Sequence, residues 1–192
     1  MMKLIRSLVV GVCAGLSLAV GAAVDVAGVK FEDKVKLGAT ELNLNGAGVR
    51  TRFMVKVYAA GLYLPEKKTS ADQVLALKGP KRVHIVTLRE LTAEQFADAL
   101  VEGIRKNSSE AELATLKPAI DEFRAAVLSL QTAPKAAVVN LDFAPETGTR
   151  LVFNSEPKGN PIAGEDFYRA LLRIWLGAKP VQDDLKEALL GK

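Results

Sequence analysis

The chain has 192 residues, 49% of them hydrophobic and 25% charged, with 26 Lys and Arg against 22 Asp and Glu. That length suits one domain with a buried core, and the balance excludes disordered and fibrous chains. A single cysteine excludes a disulfide framework and any Cys-based zinc cluster, and a single histidine excludes a His-rich metal site.

Lys3 and Arg6 precede an apolar run, Ser7 to Val20, which is followed by the small residues Gly21, Ala22 and Ala23. A positive start, a short apolar stretch and a small-residue exit predict a secretory signal peptide over residues 1–23. The run is short and glycine-rich for a membrane-spanning helix. Cys13 would leave with the signal, so the mature chain, 24–192, is expected to hold no cysteine and to be periplasmic or secreted. Losing Lys3 and Arg6 lowers the formal charge from +4 to +2. No Lys/Arg stripe interleaved with aromatics is present, so nucleic acid is not an expected partner.

Val29 to Leu44 reads as short strands with turns at Glu32-Asp33 and Gly38. Asn45-Gly46-Ala47-Gly48 has turn composition. Val49 to Leu64, rich in Val, Tyr and Phe and ended by Pro65, is the strongest strand signal. Bulky residues on both of its faces predict a central strand covered on both sides. Thr69 to Leu77 reads as a short helix and Arg82 to Leu88 as a strand. Two capping boxes, Thr92-x-x-Gln95 and Ser109-x-x-Glu112, open helices. Phe96, Ala99, Leu100, Gly103 and Ile104 share one face of the first. Leu116, Ile120, Phe123, Val127 and Leu130 continue the stripe in the second, where Pro118 is expected to kink or restart it. Ala137 to Phe143 and Thr149 to Asn154 form a hairpin. Phe167 to Trp175 is a helix ended by Gly177, and Pro180 to Leu190 holds a last short one. The order predicts an α+β domain, an antiparallel sheet carrying a layer of helices.

Catalytic motifs are sparse. Gly46-Ala47-Gly48 lacks the third glycine and the following helix of a dinucleotide site. There is no G-x-S-x-G elbow and no HExxH. Asp183-Asp184 sits where a helix start favours negative charge. His84 reads as a half-buried structural histidine, and Trp175, at helical spacing, as core.

Three segments in order carry a family resemblance. Asn45-Gly46-Ala47-Gly48-Val49-Arg50 followed by Lys56-Val57-Tyr58-Ala59-Ala60-Gly61-Leu62-Tyr63-Leu64 resembles the G-x-G-x-R-like turn and KFTAIGVYLE strand of plant chalcone isomerases. Leu91 to Phe96 is similar to their LTGQQY segment. Trp175-Leu176-Gly177-Ala178-Lys179-Pro180-Val181 is similar to their YLG-x-x-PVS segment. The resemblance spans about residues 25–190 and points to the bacterial chalcone isomerase-like proteins. It implies an open-faced β-sandwich, a curved antiparallel sheet with helices on one face and a ligand cleft between them.

The isomerase itself needs an Arg, which Arg50 matches, and polar groups that this chain lacks. The family's Thr falls on Tyr58, its Tyr on Phe96 and its Asn on Gly103. A preorganised donor to a developing oxyanion is worth about 3–4 kcal/mol, so isomerase activity is not expected and no catalytic residue is assigned. Non-enzymatic plant members bind fatty acids, with a strand closer to KVYAAGYY, and their Arg and Tyr hold the carboxylate. Lys56 to Tyr63 is nearer to that version.

The resemblance thus implies a small hydrophobic carboxylate as ligand, with Arg50, Tyr58 and Phe96 as ligand-binding residues and no cofactor or metal. Read as one straight strand, however, the chain holds Arg50 and Tyr58 roughly 26 Å apart, too far to share one carboxylate. Thr51 to Val55 offers no Gly or Pro at which to turn. Arg50 has an alternative role in tying down the Asn45–Gly48 turn. Three other functions stay open: non-covalent haem binding with Tyr58 or His84 as axial ligand, an isomerase or lyase on another enone-like substrate with Tyr58 as acid, and an envelope interaction protein without a small ligand.

Overall fold

A computed structural model describes residues 23–192. The expected signal segment lies, up to residue 22, outside the described residues. The chain runs through β1 (Val24–Val26), β2 (Val29–Phe31), β3 (Lys34–Leu37), β4 (Thr40–Arg52) and β5 (Val55–Leu64), then α1 (Ala71–Ala76), β6 (Lys81–Thr87) and β7 (Leu91–Thr92). Two helices follow, α2 (Ala93–Lys106) and α3 (Glu110–Leu128). The rest comprises β8 (Thr132–Ala133), β9 (Val138–Ala144), β10 (Gly148–Phe153), β11 (Glu156–Ile162), α4 (Glu165–Leu176) and α5 (Asp183–Leu189).

Seven strands form one curled antiparallel sheet in the order β11-β10-β9-β6-β5-β4-β3. The helices cover one face. There Leu62, Leu64, Val83, Ile85, Val139 and Leu141 of the sheet pack on Phe96, Leu100, Ile104, Phe123, Phe167, Leu171 and Trp175. The β1–β2 hairpin covers part of the other face, where Phe31 packs on Leu42, Leu44, Ala59 and Tyr63. Strand β5 is therefore central and buried on both sides, as its composition predicts. This is the α+β architecture expected from the sequence.

The segment 49–64, expected as one strand, is two. Strands β4 and β5 pair as a hairpin with Arg52 opposite Val55, so Phe53 and Met54 form a two-residue loop. Both adopt positive φ, 47° and 63°. Two-residue hairpin loops of this kind favour Asn-Gly or Gly-rich pairs, because side chains crowd the backbone at positive φ. Neither residue signals a turn, which is why the break is invisible in the sequence.

Asn45 to Gly48, expected as a turn, runs through the middle of β4. Its glycines give space rather than a bend. A Cβ on Gly46 would run into the backbone carbonyl of Ala188, and one on Gly48 would lie 2.7 Å from the Ala188 Cβ. Helix α5 thus lies directly on β4. The buried Asn45 amide locks it there, donating to Leu189 O at 2.7 Å and to Lys68 O at 2.9 Å while its oxygen accepts from Lys68 N.

Both capping boxes form with reciprocal hydrogen bonds, at Thr92–Gln95 and Ser109–Glu112. Pro118 does not divide α3, which is one continuous helix. Pro118 and Ala114, the residue whose carbonyl loses its helical partner, both face solvent, where water can satisfy that carbonyl. Strand β11 has no counterpart in the sequence reading. Pro157, Gly159 and Pro161 hide it, and an outermost position in the sheet lets it carry them.

Candidate functional site

Because β4 turns back into β5, Arg50 and Tyr58 are directly opposed cross-strand partners. The separation expected from a straight strand disappears. A register shift between Arg50 and Thr51 leaves Val57 as an extra residue, a bulge that bends the hairpin at this point. Leu88 N donates to the Val57 carbonyl at 2.9 Å, which brings the loop after β6 alongside.

At this end of the sheet a cleft of about 450 Å³ opens between the β4–β5 hairpin, the loop after β6 and helices α2 and α4. Its apolar wall includes Val57, Leu91, Phe96, Leu100, Ile174 and Val181, and its basic residues are Arg50, Arg52 and Arg89. The structure brings Arg50, Tyr58 and Phe96 to this one cleft. Phe96 is almost fully buried and contributes an apolar ring.

Arg50 is half-buried and held from one side. Its Nη1 donates to Thr51 O at 2.5 Å and to Gln182 Oε1 at 3.3 Å. Gln182, which precedes α5, also accepts from Thr51 N at 2.8 Å and donates to Val49 O at 3.3 Å. This one side chain clamps the strand that carries Arg50. Gln182 is a positioning residue that sequence reasoning missed, although it directly follows the quoted Pro180-Val181. The alternative role of Arg50, tying down residues 45–48, falls to Asn45 instead. Among the described residues no carboxylate pairs with Arg50, whose Nε and Nη2 have no hydrogen-bond partner.

Tyr58 is buried, and its hydroxyl oxygen accepts from Trp175 Nε1 at 3.0 Å. An indole N–H can only donate, so the tyrosine proton must point elsewhere. Among the described residues it meets no acceptor. Burial pushes Tyr58 up to about 12, and the Trp175 hydrogen bond and the Arg50 charge offset only part of this. The group is a neutral donor throughout the physiological range. Trp175 lies in the core, as expected, and also orients this hydroxyl.

Two acids reach the cleft and both pair outward. Asp98 meets Arg124 at 3.1 Å and Glu102 meets Lys106 at 2.6 Å. The Lys106 hydrogen bond holds the Glu102 carboxyl below the usual carboxylate range. Among the described residues these acids thus form their salt bridges with Arg124 and Lys106, and Arg52 adds a longer-range pull on Glu102. Guanidinium offers a planar fork of donors, of the kind that matches a carboxylate.

His84 lies elsewhere. It pairs in register with Gly61, on the sheet face covered by β1–β2, and its ring meets Phe31 and Tyr63 edge-on at 5.6 and 6.4 Å between centroids. Its Nδ1 is 2.6 Å from Asn140 Oδ1, and burial lowers its pKa. The structural role read from the sequence describes it. At Gly103 a Cβ would lie 2.8 Å from Ile174, so helix packing fills the space of the family's Asn. Among the described residues no three His, Cys, Asp or Glu side chains gather to hold a metal ion.

Residues 23–191 match the family model described as chalcone isomerase-like. The fold matches the crystal structure of a fatty-acid binding protein of Arabidopsis thaliana with a TM-score of 0.68 at 14% identity, covering 88% of this chain and 96% of that one. No curated protein matches by sequence.

Proposed function

Since the chain belongs to the chalcone isomerase-like family, we propose that it is a non-catalytic binder of a small amphipathic carboxylate, with a fatty acid as the model ligand. One observation carries this reading. Arg50 and Tyr58 face each other across the β4–β5 hairpin at an apolar cleft, and each keeps donors that nothing among the described residues accepts. A carboxylate placed between them would receive the guanidinium fork and the phenol O–H. Its acyl chain would lie against Phe96, Leu100, Ile174 and Val181, in a cleft whose volume falls within the usual range for small-molecule sites. The plant protein of the same fold is itself named a fatty-acid binder, which supports the class of ligand. The pattern of residues 1–23 supports export, so the binder would work outside the cytoplasm.

Haem fits this chain poorly. His84 is on the other face of the sheet, and Tyr58 would have to ligate iron as a phenolate, the form its burial disfavours. Isomerase chemistry finds Phe96 and Gly103 where the family places a hydroxyl and an amide. The test is titration of the purified protein with decanoate, followed through the fluorescence of Trp175, the one tryptophan, together with native mass spectrometry. Saturable binding that Arg50→Gln weakens is the expected result. Protein free of co-purifying lipid that also shows no saturable change with decanoate would overturn the reading.

A further inference from the structure

The tip of the β4–β5 hairpin is the least protein-like surface of the molecule. Phe53 is 86% exposed, Met54 96% and Val55 46%. Among the described residues, the other large hydrophobic side chain left exposed is Val24. Scattered apolar residues are ordinary on a surface, but consecutive ones on a protruding loop are not.

The backbone makes the choice of residues harder to explain structurally. Both Phe53 and Met54 sit at positive φ, where Asn-Gly would be relaxed and a bulky side chain is not. They touch too little of the protein to be there for packing. Their identity therefore serves something outside the fold.

The charge around the tip says what that is. From Arg50 to Lys56 the hairpin carries three cations, Arg50, Arg52 and Lys56, and no anion. Arg89 stands on the cleft beside it, Arg52 lies over the Phe53 ring at 5.2 Å, and the two acids of the cleft, Asp98 and Glu102, are paired with Arg124 and Lys106. Apolar side chains at the apex with a basic collar behind them match an anionic bilayer, where the apex reaches the acyl boundary and the collar meets the headgroups. Phe53 and Val55 also line the cleft mouth.

We propose that the β4–β5 hairpin docks the protein on anionic lipid membranes, with Phe53 and Met54 inserted and the mouth of the cleft turned to the bilayer surface. Among the described residues no helix is long and apolar enough to cross a membrane, so the association is peripheral. It stands independently of what the cleft holds.

Flotation of the mature chain, residues 24–192, with vesicles of phosphatidylglycerol and phosphatidylcholine in equal parts tests this. Binding is expected at low salt and is expected to fall as salt rises. The double variant Phe53→Asn with Met54→Gly should lose about tenfold or more in vesicle affinity. Its melting temperature should match or exceed the parent's, because it installs the preferred turn residues, so misfolding cannot account for the loss. Lys56→Gln should lose roughly fivefold, the contribution of one cation near an anionic surface. The proposal is overturned by a parent that does not float, by a double variant that floats as well as the parent, or by equal binding to pure phosphatidylcholine. Decanoate titration in vesicle-free buffer reports separately on the cleft.

Discussion

The central strands β5 and β6 end in two basic regions of opposite character. At the end away from the cleft, Lys81 is buried and bonds to Glu165 at 3.1 Å, and Arg82 grips Asp142 bidentately at 2.5 and 2.7 Å. At the cleft end, Arg50, Arg52 and Arg89 face an apolar groove, and the nearby acids pair with Arg124 and Lys106 instead. Desolvating a cation is costly, so a fold that needs one for its own stability supplies the partner. Arg50 is held in place with donors to spare, and among the described residues no carboxylate pairs with it. The first end is tied into the architecture, while the second is the one proposed above to receive a ligand.

That contrast can be broken from either side. Asp142→Ala should cost about 3 kcal/mol or more in urea denaturation, since it strands Arg82 without its carboxylate, while decanoate affinity per folded molecule stays unchanged. Arg50→Gln should do the reverse. Loss of a charge-assisted hydrogen bond of about 1.5–3 kcal/mol weakens decanoate roughly 10- to 100-fold in the Trp175 titration. Its cost in stability should stay under about 1 kcal/mol. Tyr58→Phe removes a neutral donor and should weaken decanoate about fivefold. It should also destabilise the fold by about 1–3 kcal/mol, because Trp175 Nε1 loses its buried acceptor.

The smallest effect is on pH dependence. Tyr58 ordinarily titrates near 10 and burial raises it to about 12, so the folded protein keeps a proton that the unfolded chain has released in that interval. Its contribution to stability is complete below pH 10 and is lost as pH rises toward 12. Decanoate affinity should be level from pH 7 to 10; a decline near pH 8 would show that some other group governs the site.

Local signals were legible and distant ones were not. The capping boxes at Thr92 and Ser109 rest on contacts three residues apart, and both form as read. The Val- and Tyr-rich run to Leu64 reads as a buried strand because its own composition reports burial on both faces. The break at Phe53–Met54 could not be read, since neither residue type favours the positive φ that the turn requires. Strand β11 was masked by prolines that an outermost strand tolerates. Arg50, Tyr58 and Phe96 were reached through family resemblance, and the hairpin supplied the geometry that a straight strand denied them. Gln182 sits 132 positions from Arg50 and Trp175 sits 117 from Tyr58, and no local pattern carries contacts of that span.

The packing of Gly103 against Ile174 constrains the order in which this protein could change. Placing an amide at 103 requires room that Ile174 occupies, with contacts of 2.8 and 3.0 Å already at the first carbon. Trimming Ile174 first would open a void in the buried core, at a cost of roughly 2–5 kcal/mol for an alanine. Either step alone is a loss and only the pair is viable. A polar side chain at this position therefore needs two coordinated substitutions, one in each helix.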